Sequence, residues 1–356
     1  MLLKIRWSGF KNLRLLSLVM ILLLSGCSET DSQTVNGTEG SEINPYSLGR
    51  AGNPENVEAL PKAGVLLMGG STDVDEAMEW LIEQSGNGDI VIIRASGGAG
   101  YNQYLYSLGS VNSVETLLIN SDEAANDERV ATTIRDADAL FIAGGNQADY
   151  IRLWENSKTE DAIQYLIHDK KVTIGGTSAG SAIMGEFVYT ALNGGVTSEE
   201  ALNDPFDSRV TLSKSGLVNH PVLAGVVADQ HFSQRDRQGR AAVFLARIIE
   251  QYGDDGGQNL FRALAVDERT ALVVEETGNM KVMGENRVFF IYPMAEGLEP
   301  ENMTAGQPFT WSESDYSLNV YIANEQTEIE HLFEEKPKVW NEKWKISKGQ
   351  LIRTIR

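Results

Sequence analysis

The stretch Val172–Met184, VTIGGTSAGSAIM, constrains this chain more than any other. A short apolar run (Val172, Ile174) leads into Gly175-Gly176-Thr177-Ser178-Ala179-Gly180, and a small-residue helical pattern begins at Ser181. A strand that turns sharply into a helix needs residues without bulk on both sides of the turn. Gly176 and Gly180 flank Ser178 at the G-x-S-x-G spacing, which lifts one hydroxyl above the carboxyl end of a parallel sheet. Backbone N–H groups at such a turn can hold a developing oxyanion. A plain tight turn with an incidental serine carries the same five letters. The strand before Ser178 and the helix after it favour the catalytic turn.

The rest of the chain supplies the sheet this turn needs. Apolar runs at Gly64–Gly70, Asp89–Ser96, Val114–Ile119 and Asp138–Gln147 read as buried strands. Helical spacing separates them at Asp73–Gln84, Asp122–Arg135, Tyr150–Trp154 and Glu160–His168. Unbroken apolar strands alternating with helices predict an α/β fold with a mostly parallel, doubly wound sheet and helices on both faces. Glycine pairs at Gly69-Gly70, Gly97-Gly98 and Gly144-Gly145 fall at the strand ends where ligands bind in such sheets. None belongs to a nucleotide-binding motif, so they read as close backbone approach near a site. After Glu186 the pattern loosens. A helix is expected over Gln234–Tyr252, strands over Ala263–Glu276, and a hairpin over Lys281–Pro293. Beyond Glu296 a small β-rich C-terminal appendage is expected.

The N-terminus reads as a targeting segment. Lys4, Arg6, Lys11 and Arg14 precede the apolar run Leu15–Leu24, and Leu24-Ser25-Gly26-Cys27 follows. The chain's single cysteine stands at the cleavage point, as in the bacterial lipoprotein box, so Cys27 is the expected lipidation site. By resemblance to Gram-negative lipoproteins, Ser28 in place of aspartate implies the outer membrane, on the periplasmic or surface face. The expected divisions are a signal peptide over 1–26, a flexible tether over 27–60, the α/β domain over 61–295 and the β-rich extension over 296–356. Across 356 residues there are 30 Lys and Arg against 50 Asp and Glu, a formal net charge of −20. Such a surface repels nucleic acid.

A serine hydroxyl needs a base, and the base needs an acid to orient it. Of four histidines, His168 lies mid-helix, His220 precedes Pro221, and His331 lies in the acidic tail. His231 follows an apolar strand and precedes a helix, where a strand-end loop can face Ser178. Glu199, Glu200, Asp204, Asp207 and Asp229 lie between serine and histidine as candidate acids. No His/Cys spacing suggests a metal, and no cofactor is expected.

Together GGNQ (144–147), GTSAGSAIM (176–184), TSEEAL (197–202) and DQHFSQRDRQGR (229–240) resemble peptidase family S51, which holds cyanophycinase and aspartyl dipeptidase. The resemblance implies a class I glutamine amidotransferase-like fold and a serine peptidase acting through an acyl-enzyme on aspartyl or β-aspartyl peptides. It makes Ser178 the nucleophile, His231 the base and Glu200 the acid, with Glu199 and Asp229 as alternatives. Backbone N–H groups near Gly145 and Ala179 would form the oxyanion hole, and Gln147 and Gln230 would meet substrate. Arg235, Arg237 and Arg240 follow an R-x-R-x-x-R pattern. A guanidinium fork suits a substrate carboxylate, and Arg235 and Arg237 are the expected binders. Asn146 departs from the acid common at that place in cyanophycinases, which loosens the substrate assignment. The expected partner is a peptide, with a homodimer left open. The rival readings are an α/β-hydrolase esterase and a non-catalytic peptide-binding lipoprotein of the same fold.

Overall fold

The computed structural model describes residues 44–253, 261–294, 300–312, 316–329 and 339–356. Cys27, His331 and the targeting segment lie outside the described residues.

The first half alternates as its sequence demands. Strand β1 (Ser47–Gly52) is followed by β2 (Gly64–Met68), α1 (Asp75–Gln84), β3 (Asp89–Arg94), α2 (Gly100–Leu108) and β4 (Ser113–Leu118). Then come α3 (Asp122–Ala125), α4 (Glu128–Asp136), β5 (Ala139–Ile142), α5 (Gln147–Trp154), α6 (Lys158–Tyr165), β6 (Thr173–Thr177) and α7 (Ala179–Ala182). The second half holds β7 (Phe187–Tyr189), α8 (Ser198–Asn203), β8 (Leu212–Lys214), β9 (Val226–Gln230) and α9 (Gln238–Tyr252). It ends in β10 (Arg262–Val266), β11 (Thr270–Glu275), β12 (Met280–Gly284), β13 (Val288–Pro293), β14 (Leu318–Ala323), β15 (Glu342–Ser347) and β16 (Gln350–Ile355).

These strands make two eight-stranded sheets. The first runs β1-β4-β3-β5-β6-β2-β11-β12, with its middle five strands parallel. The second runs β16-β15-β14-β13-β10-β9-β7-β8, with β7, β9 and β10 parallel. One face of the first sheet packs Leu66, Ile92 and Phe141 under α1 and α2. Its other face (Val65, Leu67, Ile174) shares a core with α4 to α6 and with Leu264, Phe290 and Tyr292 of the second sheet. The far face of the second sheet (Val227, Ala263, Phe289) is covered by α9.

Two expectations, the tether and the hairpin, need correction, and two gain detail. The stretch read as a tether contains β1, which pairs antiparallel with β4 and is tied to it by Arg50–Glu115 at 2.6 Å. The strands expected over 263–276 form and divide between the sheets, with β10 in the second and β11 in the first. The expected hairpin at 281–293 divides likewise, β12 pairing with β11 and β13 with β10. The C-terminal strands continue the second sheet from β13 and bury Trp311 and Trp344, so they share the domain's core. All four reflect long-range pairings, which local periodicity does not encode.

His220 lies only 7 % exposed in the loop after β8, where its Nδ1 accepts the Val222 N–H at 3.3 Å. Burial, reinforced by nearby His168, pushes its pKa down to about 4. The unfolded chain therefore takes up this proton first as pH falls. The stability held with neutral His220 is complete above the ordinary histidine pKa of about 6.5 and drains away toward the folded value, roughly 3 kcal/mol in all. Denaturant melts of His220→Asn should show a shallower loss of stability across that interval than the parent. Parallel curves would mean that another group carries the acid sensitivity.

Candidate active site

β6 delivers Ser178 to the carboxyl edge of the first sheet, and α7 begins one residue later. Ser178 has φ 52° and ψ −117°. A non-glycine residue holds such a conformation only when its surroundings over-determine it, at about 1–3 kcal/mol. Here they do. The Ser178 N–H donates to Met68 O at 3.1 Å. The Ser181 hydroxyl lies 2.8 Å from that carbonyl and 2.6 Å from Gly176 O. A Cβ on Gly180 would lie 2.1 Å from the Ile142 carbonyl oxygen, so only glycine lets α7 start this close to β5.

His231 follows β9 of the second sheet, with φ 50° and its N–H donating to Gly69 O at 2.9 Å. Its ring, 6 % exposed, meets Ser178 Oγ through Nε2 at 2.8 Å and Glu268 Oε1 through Nδ1 at 2.7 Å. A carboxylate only accepts, so Nδ1 carries the proton and Nε2 is left to take one from the serine. Burial pulls the imidazole pKa below its ordinary value, partly opposed by the hydrogen bond to Glu268. The base therefore stays neutral into mildly acidic solution.

Glu268 lies between β10 and β11, where the chain crosses from one sheet to the other. Its N–H donates to Gln234 Oε1 at 2.9 Å, and its carbonyl accepts from Asn286 Nδ2 at 2.9 Å. This overturns the assignment of Glu200. Glu200 closes a capping box with Thr197 at the start of α8 and pairs with Arg209 at 2.7 Å. Its carboxylate is thus committed to its own helix. Asp229 does not orient His231 either. Buried, it takes a two-point contact from Arg240 at 2.9 and 2.5 Å and one from Arg237 at 3.3 Å.

Gly70, with φ +92°, forms the floor under the Ser178–His231 pair. A Cβ there would lie 2.6 Å from His231 Nε2 and 3.0 Å from Ser178 Cβ. Gly70→Ala is expected to displace the imidazole and cut kcat on the order of 10²-fold, since misplacement by about 1 Å has that effect. Steady-state kinetics beside a melting curve would separate this from unfolding, and an unchanged kcat would refute it.

The remaining expected residues divide. Gly145 follows β5, and a Cβ there would meet the Tyr150 hydroxyl at 2.5 Å. Ala179 opens α7, where an amide has no intrahelical acceptor. Gln147 opens α5, with Nε2 3.5 Å from Tyr189 O. Arg235 has its side chain half exposed, 3.8 Å from Glu268. Arg237 donates to Gln230 O at 2.7 Å, and burial lowers its pKa to about 10. Arg240 is 5 % exposed and lies over the rings of Tyr189 and Phe244, so it builds the wall and does not reach the cleft. Gln230 is corrected from substrate contact to brace. It is 3 % exposed, and its hydrogen-bonding surroundings orient the amide to donate to Ser178 O at 3.3 Å and accept from Ala182 N at 3.1 Å.

A cyanophycinase of Trichormus variabilis is 26 % identical over 262 residues, covering 70 % of this chain and 80 % of that one. One of Synechococcus elongatus is 29 % identical over 196 residues, 55 % of this chain and 54 % of that one. The crystal structure of a peptidase from an acI-B1 actinobacterium aligns with TM-score 0.49 at 15 % identity, covering 76 % of this chain and 97 % of that one. The profile of peptidase family S51 matches residues 65–279, more than half of the chain. The chain belongs to peptidase family S51 and is a serine peptidase.

Proposed function

We propose that this peptidase hydrolyses aspartyl or β-aspartyl peptides, cyanophycin-like polymers included, with Ser178, His231 and Glu268 as its triad. The observation that carries the reading is the unbroken chain of contacts, 2.8 Å from serine to histidine and 2.7 Å from histidine to glutamate. Ser178 Oγ attacks the scissile carbonyl as its proton passes to His231 Nε2. The N–H groups of Gly145 and Ala179 receive the developing oxyanion. His231 then returns the proton to the leaving amine, and the acyl group stays on Ser178. Water, deprotonated by the same imidazole, releases the product acid and restores the serine. Glu268 keeps the imidazole in the right tautomer and balances its charge while it is protonated.

Substrate choice rests on the two arginines and on the relatives. Arg235 has a half-exposed guanidinium, held by a 3.8 Å pairing with Glu268, and Arg237 lies close by, braced by Asp229 and the Gln230 carbonyl. Together they suit an aspartyl carboxylate. The relatives named as cyanophycinases point to a β-aspartyl-arginine polymer. The test is incubation with cyanophycin, β-Asp-Arg, β-Asp-Leu, α-Asp-Leu and a p-nitrophenyl ester, with products followed by mass spectrometry. Release of β-Asp-Arg from polymer is the expected result. Cleavage of the dipeptides alone would shift the assignment to a dipeptidase. Ester cleavage without peptide cleavage would sink it.

We further propose that Cys27 is lipidated and holds the enzyme in the cell envelope, at the outer membrane. Its support is the sequence Leu24-Ser25-Gly26-Cys27 after a basic and apolar leader. Incorporation of labelled palmitate that Cys27→Ala abolishes is the expected result. Incorporation that survives the substitution would refute it.

A further inference from the structure

The proposed triad makes no use of a half-buried carboxylate in the same loop as Gly70. Asp73 ends the turn that leaves β2. Its Oδ2 accepts the Tyr101 hydroxyl, from α2, at 2.7 Å. Its Oδ1 is buried without a hydrogen-bond partner, and the nearby Thr177 side chain favours the charged carboxylate. Thr177 is 5 % exposed and immediately precedes the nucleophile. One carboxylate thus holds α2 by a hydrogen bond and lies near the last residue of β6.

The same turn touches the catalytic pair at its other end. Gly69 O accepts the His231 N–H, Gly70 O accepts the Arg269 N–H at 3.0 Å, and Gly70 underlies both reacting side chains. Ser71, with φ 71°, is held in the left-handed region between the two ends. α2 is itself secured, since Arg94 donates to the carbonyls of Ser96 and Gly98 in the loop that leads into it. Tyr101 lies against Phe141 of β5, with ring centroids 5.3 Å apart.

We propose that Asp73 and Tyr101 are a positioning pair that fixes the 69–73 turn against His231 and Ser178, and so sets the nucleophile–base contact. The inference rests on the triad proposed above. Direct contact with substrate is a poorer account of Asp73. Oδ1 is closed off from solvent and Oδ2 is occupied. Burial also works against the charge, raising the carboxyl pKa above its ordinary value. A purely structural tie would not need a carboxylate in so unfavourable a place.

The test compares Tyr101→Phe, Asp73→Ala, Asp73→Asn and the double variant Asp73→Ala/Tyr101→Phe in the whole enzyme. The readouts are kcat, KM, the rate of Ser178 labelling by a fluorophosphonate and the melting temperature. Tyr101→Phe and Asp73→Ala should each lower kcat and labelling by roughly tenfold to a hundredfold, with KM within about twofold. The double variant should be no worse than either single one, because both remove the same contact. Asp73→Asn keeps an oxygen for Tyr101 to donate to, and should recover most of the rate. A fall in melting temperature with kcat and labelling unchanged would overturn the proposal in favour of a structural tie. A rise in KM with kcat unchanged would overturn it in favour of substrate contact. If Asp73→Ala does not fold, Tyr101→Phe carries the same comparison alone. Parent enzyme that resists the fluorophosphonate would sink the triad itself, whereas labelled parent with equally labelled variants would sink only the pair.

Discussion

Ser178→Ala is expected to remove nearly all peptide turnover, on the order of 10⁶-fold in kcat, as loss of the nucleophile does in serine peptidases of other folds. The backbone should survive the change. Alanine bears the same strain at φ 52° that serine does, and the Met68, Ser181 and Gln230 contacts that hold the turn do not use the Ser178 hydroxyl. The melting temperature should therefore stay near that of the parent while activity and fluorophosphonate labelling vanish. Retained turnover would show that another group attacks the carbonyl.

The second large effect separates two glutamates. Glu268→Gln should lower kcat about 10³–10⁴-fold, because an amide in that place no longer holds His231 in the tautomer that can accept the serine proton. Glu200→Gln should leave kcat within about threefold and stability close to the parent's, because glutamine also closes the capping box with Thr197. The pH profile gives a second readout. Burial already holds the His231 pKa down, and Glu268 works against that. Loss of the carboxylate should therefore move the acid limb of kcat/KM to still lower pH, on top of the fall in rate. Equal losses in the two variants, or a larger one at Glu200, would return the acid to the segment between serine and histidine.

Why the sequence pointed to Glu200 and not to Glu268, the carboxylate that meets His231, is a matter of pairing. Ser178 and His231 were legible because each carries a local mark, glycines around the serine and an apolar strand before the histidine. Glu268 has a mark too, the polar triplet Asp267-Glu268-Arg269 between two apolar runs. Its meaning depends on β10 lying parallel beside β9, with Val266 opposite Gln230. That register carries the next residues of both chains off the same edge, where Glu268 can reach His231. Read without the register, the triplet is only a break between two strands. The alternation of β2 to β6 was legible for the opposite reason, since strands buried on both faces are apolar throughout. Helix α2 was missed because only Asn102 and Leu105 of its nine residues are buried, too few to print a periodicity.

The triad has a bearing on when the enzyme becomes active. The proposed nucleophile hangs from the first sheet and the proposed base from the second, while the proposed acid occupies the crossing from β10 to β11, one of the places where the chain passes between the sheets. A chain in which only one sheet has formed holds a serine without a base, or a histidine without a serine. Hydrolytic capacity is thus the last property to emerge during folding, after the two sheets meet face to face. During refolding from denaturant, strand signal should return before fluorophosphonate reactivity, and the delay between them times the docking of the sheets.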